Sequence, residues 1–337
     1  MTTGDRVRIV ICECDHDAFT EEKQEAARAS VELEIRQDHG PEAVIAGARD
    51  ADGICVQYAS ITAEVMDALP KLRAIGRYGV GVDSVDVDAA TRRGIAVCNV
   101  PDYGTDGVSD HAIGLALAVA RGIAALDRQV RSGRLDLNEI RPLYQTKDRV
   151  FGVIGLGRIG QAVARKAAGL GYQVIGHDIV VPDGTREYGG VEVVPLAELL
   201  RRAQVISLHV PLTPQTHHLI GAAELAAMRP DAVLVNTARG AVIDTDALVA
   251  ALRAGSLAGA GLDCHETEPL PADHPLTAFA NVVLTPHFAW YTEEAYGELK
   301  RRTIANVIEV CCGRRPRDIL NPQVLGAPGR NESAPTA

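Results

Sequence analysis

Val150-Phe151-Gly152-Val153-Ile154-Gly155-Leu156-Gly157-Arg158-Ile159-Gly160 decides the fold of this 337-residue chain. An apolar run long enough for a buried strand passes through G-x-G-x-x-G into a helical pattern carried by Ala162, Val163, Ala164, Ala167, Ala168 and Leu170. Each glycine has a physical task. Gly155 permits a tight turn, Gly157 lets the backbone approach a pyrophosphate, and Gly160 lets helix and strand pack closely. The helix opening at Arg158 and Ile159 then offers free N–H groups and a positive dipole end to phosphates. The next apolar strand, Gln173 to His177, ends in Asp178, about 20 residues on, where a carboxylate accepts from ribose hydroxyls and repels a 2′-phosphate. Ile179 and Val180 follow it and neither binds such a phosphate, so NAD(H) is the expected cofactor; Arg186 further along keeps NADP open.

Working outward, apolar runs that suit strands recur on both sides of this unit. Val7 to Cys12, Val31 to Ile35, Gly53 to Val56 and Ile95 to Cys98 precede it. Val205 to Val210, Ala232 to Val235, Gly259 to Leu262 and Val282 to Leu284 follow. Amphipathic helical stretches lie between many of them, which predicts parallel sheets covered by helices. The strands are too many for one sheet, so the reading is α/β with two doubly wound parallel-sheet domains. Val108 to Arg131 reads as one long helix after the turn-like Pro101-Asp102-Tyr103-Gly104, and Thr292 to Cys311 as another, with Thr292 as N-cap. From about Gln323 the chain is Gly, Pro, Ser, Asn and Ala with few apolar anchors, and a disordered tail is expected.

The hydrophobic fraction is 47%, the charged fraction 23% and the net charge −10, an ordinary globular composition without attraction to nucleic acid or anionic lipid. An anionic substrate therefore needs specific local cations. No apolar run is long enough to span a bilayer, and the start of the chain, Asp5 and Arg6 before a short strand, carries no signal-like segment. The seven cysteines are odd in number, form no C-x-x-C pair and mostly sit in apolar runs, so buried thiols in a reducing, cytoplasmic setting are expected.

Ligands of open α/β sheets bind beyond the carboxyl ends of strands. Three late strands end in chemistry: Asn236-Thr237-Ala238-Arg239-Gly240, then Asp263-Cys264-His265-Glu266-Thr267-Glu268-Pro269, then Thr285-Pro286-His287. A guanidinium holds a carboxylate and polarises a ketone. A histidine near neutral pKa supplies or takes the proton, and a carboxylate behind it fixes the tautomer and favours the imidazolium. Arg239, His287 and Glu268 are the candidates, and the reaction they suit is hydride exchange between a nicotinamide and C2 of a 2-hydroxy or 2-oxo acid. His209 lies in an apolar strand. The adjacent His217 and His218 are expected to point apart with no third ligand, so no metal site is read here.

With these residues in hand, the chain resembles the D-isomer-specific 2-hydroxyacid dehydrogenases from about Leu72 to Pro322. The motifs are Gly-Val-Gly-Val-Asp at 79–83, Val-Cys-Asn-Val-Pro at 97–101, Gly-Leu-Gly-Arg-Ile-Gly at 155–160, Asn-Thr-Ala-Arg-Gly at 236–240, Gly-Leu-Asp at 261–263, Glu-Pro at 268–269 and Thr-Pro-His at 285–287. The resemblance implies that Arg239, Glu268 and His287 are catalytic. It implies that Asp263, Val108 and His287 contact the nicotinamide end, Thr237 and Ala238 line the cofactor, and the loop Val210, Pro211, Leu212, Thr213 closes over the adenosine side. It further implies a flavodoxin-like substrate domain of residues 1–99 and 288–322, a Rossmann NAD-binding domain of residues 100–287, a cleft between them that closes on substrate, and a homodimer formed through the helix beginning near Val108.

One branch is closer. Cys98-Asn99-Val100-Pro101, His217-His218-Leu219-Ile220, His265-Glu266-Thr267-Glu268-Pro269 and His287-Phe288-Ala289-Trp290-Tyr291 are similar to the C-terminal-binding proteins. That similarity implies that Trp290 lines the substrate pocket and Arg77 binds the substrate carboxylate, with Tyr78, Gly79 and Val80 in the loop beside it. Val108-Ser109-Asp110-His111 and Phe288 depart from the usual pattern and leave the substrate open. The alternatives are an NADH-sensing binding protein with vestigial catalysis, against which the intact Arg239, Glu268 and His287 set argues, and a same-fold dehydrogenase of phosphoglycerate, phosphite, formate or a phosphonate. With no regulatory domain after residue 322, a long-form phosphoglycerate dehydrogenase is not expected.

Overall fold

A computed structural model describes residues 6–182 and 184–326. In chain order the elements are β1 Arg8–Glu13, α1 Thr20–Ala29, β2 Glu32–Ile35, α2 Pro41–Ala48, β3 Gly53–Val56, α3 Ala63–Asp67, β4 Ala74–Arg77, α4 Val87–Arg92, β5 Ala96–Cys98, α5 Thr105–Ala120, α6 Ile123–Arg131, β6 Val150–Ile154, α7 Arg158–Gly169 and β7 Gln173–His177. They continue with β8 Glu187–Tyr188, β9 Val191–Val193, α8 Leu196–Arg202, β10 Val205–Leu208, α9 Ala222–Ala227, β11 Val233–Asn236, α10 Thr245–Ala254, β12 Gly259–Leu262, β13 Val282–Leu284 and α11 Glu293–Cys311. The chain divides into two compact units. One holds the residues up to Tyr103 and those from Thr292 on; the other is Gly104–Tyr291.

The first unit is a five-stranded parallel sheet in the order β2-β1-β3-β4-β5, the flavodoxin-like sequence of strands. Its core runs through Val10, Ile54, Ile75 and Val97. Helix α11 starts at Thr292, whose hydroxyl accepts from Ala295 N at 3.1 Å, an N-cap that satisfies an otherwise orphaned amide. Strand β4 is absent from the apolar runs read in the sequence, because Gly76 and Arg77 dilute its pattern. It forms because β3 and β5 pair with it on both sides.

The second unit is an eight-stranded sheet, β13-β12-β11-β10-β6-β7-β9-β8, parallel except for the β8–β9 pair. Strand order reverses at β6, which lies between β7 and β10. That reversal opens a crevice at the carboxyl ends of β6 and β10, the place where such sheets take ligands. The single long helix expected over 108–131 is instead two. Arg121 closes α5, Gly122 turns left-handed at φ 61°, and α6 leaves bent by 63°. Among the described residues no single helix is long and apolar enough to cross a membrane. Of the tail expected from Gln323, residues 327–337 lie outside the described residues; before them Pro322–Val324 forms one 3-10 turn with Val324 buried.

Candidate active site

The site is assembled at the carboxyl ends of β6, β7, β10, β11, β12 and β13. After β6 the backbone reaches φ +95° at Gly155, a value that L side chains avoid, and a Cβ there would meet the His209 carbonyl oxygen at 2.6 Å. A Cβ on Gly160 would collide with the Gly155 carbonyl, so α7 can lie this close to β6 only with glycine. Around Gly157, the N-cap residue of α7, there is open space. The free N–H groups of α7's first turn therefore meet open space that an anion can enter.

Asp178 stands just past β7. Its Oδ2 accepts from Leu156 N at 2.6 Å and its Oδ1 from Val180 N at 2.9 Å. Both bonds fix the carboxylate beside the glycine turn, and each oxygen keeps a lone pair for a further donor. Ile179 and Val180 are exposed. In the 210–213 loop the buried Thr216, which the sequence reading passes over, accepts from Thr213 N at 2.8 Å and donates to Pro211 O at 2.6 Å. Beyond β11, Thr237 Oγ1 is buried without a hydrogen-bond partner among the described residues. A buried hydroxyl left unpaired costs about 1–3 kcal/mol, so this atom fits a ligand that completes it. Glycine turn, helix end, Asp178 and Thr237 together fit a dinucleotide.

Asn236, fully buried, shapes the turn that carries Arg239, a role its place in the strand-end motif does not reveal. Its Oδ1 accepts from Ala238 N at 2.9 Å and its Nδ2 donates to Arg239 O at 2.8 Å. The guanidinium of Arg239 donates to Ala238 O at 2.8 Å. Gly240 then packs backbone to backbone on His265 and Glu266, which brings the β11 and β12 rims together.

The β12 and β13 ends converge on His287. This residue holds φ +63°, an αL conformation that costs a side-chain-bearing residue about 1–3 kcal/mol. Asp263 offsets that strain. Its carbonyl accepts from His287 N at 2.7 Å, and its buried carboxylate accepts from Thr285 Oγ1 at 2.6 Å, Ala289 N at 2.9 Å and Phe288 N at 3.1 Å. Thr285 Oγ1 spends its only proton on Asp263, so it must accept from His111 Nε2 at 2.9 Å. That assigns the Nε2–H form to His111, whose position the sequence comparison marks as a departure.

Glu268 uses both carboxylate oxygens: Oε1 accepts from His265 N at 2.9 Å and Oε2 from His287 Nδ1 at 2.8 Å. Burial pushes its pKa up, but the His287 bond, the His265 N–H and the two imidazoles outweigh that and hold the carboxyl below its ordinary 4.5. The bond to a carboxylate puts a proton on His287 Nδ1, so Nε2 is the atom through which a proton can be given or taken. Cys264 follows Asp263 and donates to Ala238 O at 3.5 Å. Sulfur of Cys264, a carboxylate oxygen of Glu268 and a ring nitrogen of His287 all lie within 4.8 Å of one another.

Other expectations land differently. His217 and His218 do not point apart: their rings stack at 4.0 Å, and His218 Nε2 meets Glu266 Oε1 at 2.7 Å. The left-handed φ of 51° at His218 turns its ring back over its neighbour. Trp290 is half-buried, edge-on to Tyr291 at 5.7 Å, and Phe288 is exposed. Val108 is buried on α5. In the first unit, Arg77 ends β4. Tyr78 turns its side chain inward, where its hydroxyl donates to the buried Glu22 at 3.3 Å, and its N–H donates to Val56 O at 2.9 Å. The carbonyls of Gly79 and Val80 are tied to Val100 N and Asn99 Nδ2 at 3.0 and 2.7 Å.

Comparison with known proteins points to one family. A family model described as the NAD binding domain of D-isomer specific 2-hydroxyacid dehydrogenases matches residues 113–289. A glyoxylate reductase of Korarchaeum cryptofilum is 40% identical over 302 residues, 87% of this chain and 91% of that protein. Among solved structures, a glyoxylate reductase from Paecilomyes thermophila superposes with a TM-score of 0.84 at 28% identity, over 95% of this chain and 100% of that one. A D-lactate dehydrogenase from Aquifex aeolicus, in complex with NAD and lactic acid, gives 0.80 at 28% identity over 94% and 99%. The two doubly wound sheets, the nucleotide cradle and these relatives place the chain in the D-isomer specific 2-hydroxyacid dehydrogenase family, oxidoreductases that act with a nicotinamide cofactor.

Proposed function

We propose that the protein reduces a 2-oxo acid to the D-2-hydroxy acid with NADH, His287 donating the proton. The observation that carries this reading is the His287–Glu268 pair at 2.8 Å on a strained turn that Asp263 holds in place. When bound, the nicotinamide supplies the hydride. Glu268 keeps the imidazolium oriented through Nδ1, and Nε2 protonates the carbonyl oxygen as it gains charge. Arg239 binds and polarises the substrate, and its planar fork suits a carboxylate next to a ketone. Arg77 and the backbone of Gly79 and Val80 are assigned to the acid group, and Trp290 to the side-chain wall.

Asp178 with Ile179 and Val180 supports NADH over NADPH, since the carboxylate repels a 2′-phosphate and neither neighbour offers it a donor. A homodimer is part of the proposal. Ile123, Val130, Leu135, Leu137 and Tyr144 leave large apolar surface exposed on and after α6. A cytoplasmic setting is supported by seven cysteines, none in a disulfide.

The test is NADH oxidation against a panel of 2-oxo acids, beginning with glyoxylate, pyruvate and hydroxypyruvate, run in parallel with NADPH. Turnover of one acid class with NADH is expected. Tight NADH binding without turnover of any acid would overturn the reading in favour of a sensor.

A further inference from the structure

We infer that Cys264, Glu268 and His287 form a binding site for a thiophilic divalent cation, with zinc as its prototype, and that the bound ion switches off the proposed reduction. The proposal rests on the dehydrogenase reading for its consequence but not for the site itself. Among the described residues this is the one group of three histidine, cysteine or carboxylate side chains whose donor atoms lie within 4.8 Å of one another. Thiolate, imidazole and carboxylate are the ligand set of zinc, and a thiolate turns the preference away from magnesium and calcium.

Two of the ligands stand on backbone that is already fixed. Cys264 lies two residues past the end of β12, and His287 N is bonded to the Asp263 carbonyl at 2.7 Å, one residue from that sulfur. Glu268 is exposed, so it is the arm that can close. Ligand atoms around tetrahedral zinc are about 3.3–3.8 Å apart, so a small rotation of the Glu268 carboxylate, which now stands 2.8 Å from His287 Nδ1, would open room for the ion between them. Water would complete the fourth position. The thiol proton leaves to solvent as the sulfur–metal bond forms, and no electron moves.

No step of the proposed reduction uses the sulfur. Every coordination choice of His287 nevertheless stops that reduction. A metal on Nε2 takes the lone pair that must carry the proton, and a metal on Nδ1 displaces Glu268. Among the described residues no other cysteine belongs to such a group of donors.

The test titrates the full-length protein with cobalt(II) under anaerobic conditions and reads the thiolate-to-cobalt charge-transfer band. The wild type is expected to develop that band at one equivalent, and zinc to abolish it. Cys264→Val and Cys264→Ser are expected to lose the band. Both should reduce the 2-oxo acid at near wild-type rate, with the zinc concentration for half inhibition raised at least about tenfold. Magnesium and calcium should leave the wild type active. Absence of the band in folded wild type, or a band or zinc inhibition unchanged in either cysteine variant, would overturn the proposal. The cobalt band does not require turnover, so failure of the dehydrogenase reading is distinguishable from failure of the metal site.

Discussion

Asp263→Asn removes one charge and almost no volume, and it tests how the site is built. The Asp263 carboxylate is buried, with Thr285 Oγ1 and Phe288 N on Oδ1 and Ala289 N on Oδ2. Asparagine can keep its oxygen toward Thr285 and Phe288. Its amide then faces the Ala289 N–H, two donors in contact. Losing a hydrogen bond to a charged group and leaving a buried N–H unsatisfied costs about 3 kcal/mol. For a unit of this size that lowers Tm by about 6–12 °C. Because the same carboxylate holds the αL turn at His287, turnover should fall by more than stability alone explains, at a temperature where the variant is fully folded. Thermal unfolding by circular dichroism and NADH-dependent reduction on the same preparation give both numbers. A variant that melts within about 2 °C of wild type and turns over normally would show that the Asp263 carboxylate does not hold this turn.

Gly160→Ala drives a methyl group into the Gly155 carbonyl and should cost about 1–3 kcal/mol of stability together with most NADH affinity, measured by melting and by fluorescence titration of the nucleotide. Asp178→Ser removes a carboxylate fixed by Leu156 N and Val180 N; kcat/KM with NADH should fall about 10–100-fold while that with NADPH falls less or rises. Glu268 is held below its ordinary 4.5, so the unfolded chain protonates it first as pH falls. Its contribution is complete above that value and is lost as pH drops through the lower folded value. Wild type should therefore exceed Glu268→Gln in stability by a constant amount above about pH 5.5, and the difference should shrink below about pH 4.5. A difference in Tm that does not change with pH would count against an ionised Glu268 that accepts from His287 Nδ1.

The glycine motif and the strands around it were legible because backbone geometry leaves few residue choices there. The φ of +95° at Gly155 and the contact of Gly160 with the Gly155 carbonyl admit only glycine. Asp178 was legible through its spacing, and the late strands through their apolar runs. What was not legible depends on tertiary neighbours. Strand β4 is short and half polar, and pairing with β3 and β5 makes it a strand. The β8–β9 hairpin had a local signal, Gly189-Gly190 with both φ positive, which its brief strands hid. The bend after α5 also had one in Gly122, but glycine within an apolar helical pattern is weak evidence against continuity. The roles of Asn236, Thr216, Thr285 and His111 were not legible, because each acts by bonding the backbone or side chains that aim Arg239, the 210–213 loop and His287. Nothing in their own sequence context distinguishes such roles from ordinary turn residues.

The most direct test of the account is His287→Asn, measured for both NADH binding and reduction of the preferred 2-oxo acid. Asparagine tolerates the αL backbone that His287 adopts, so the turn should survive. The account predicts NADH affinity within about threefold of wild type and a fall in kcat of about 10²–10⁴-fold, the range that a positioned general acid contributes. A variant that keeps most of its turnover would contradict the assignment of His287 as the proton donor.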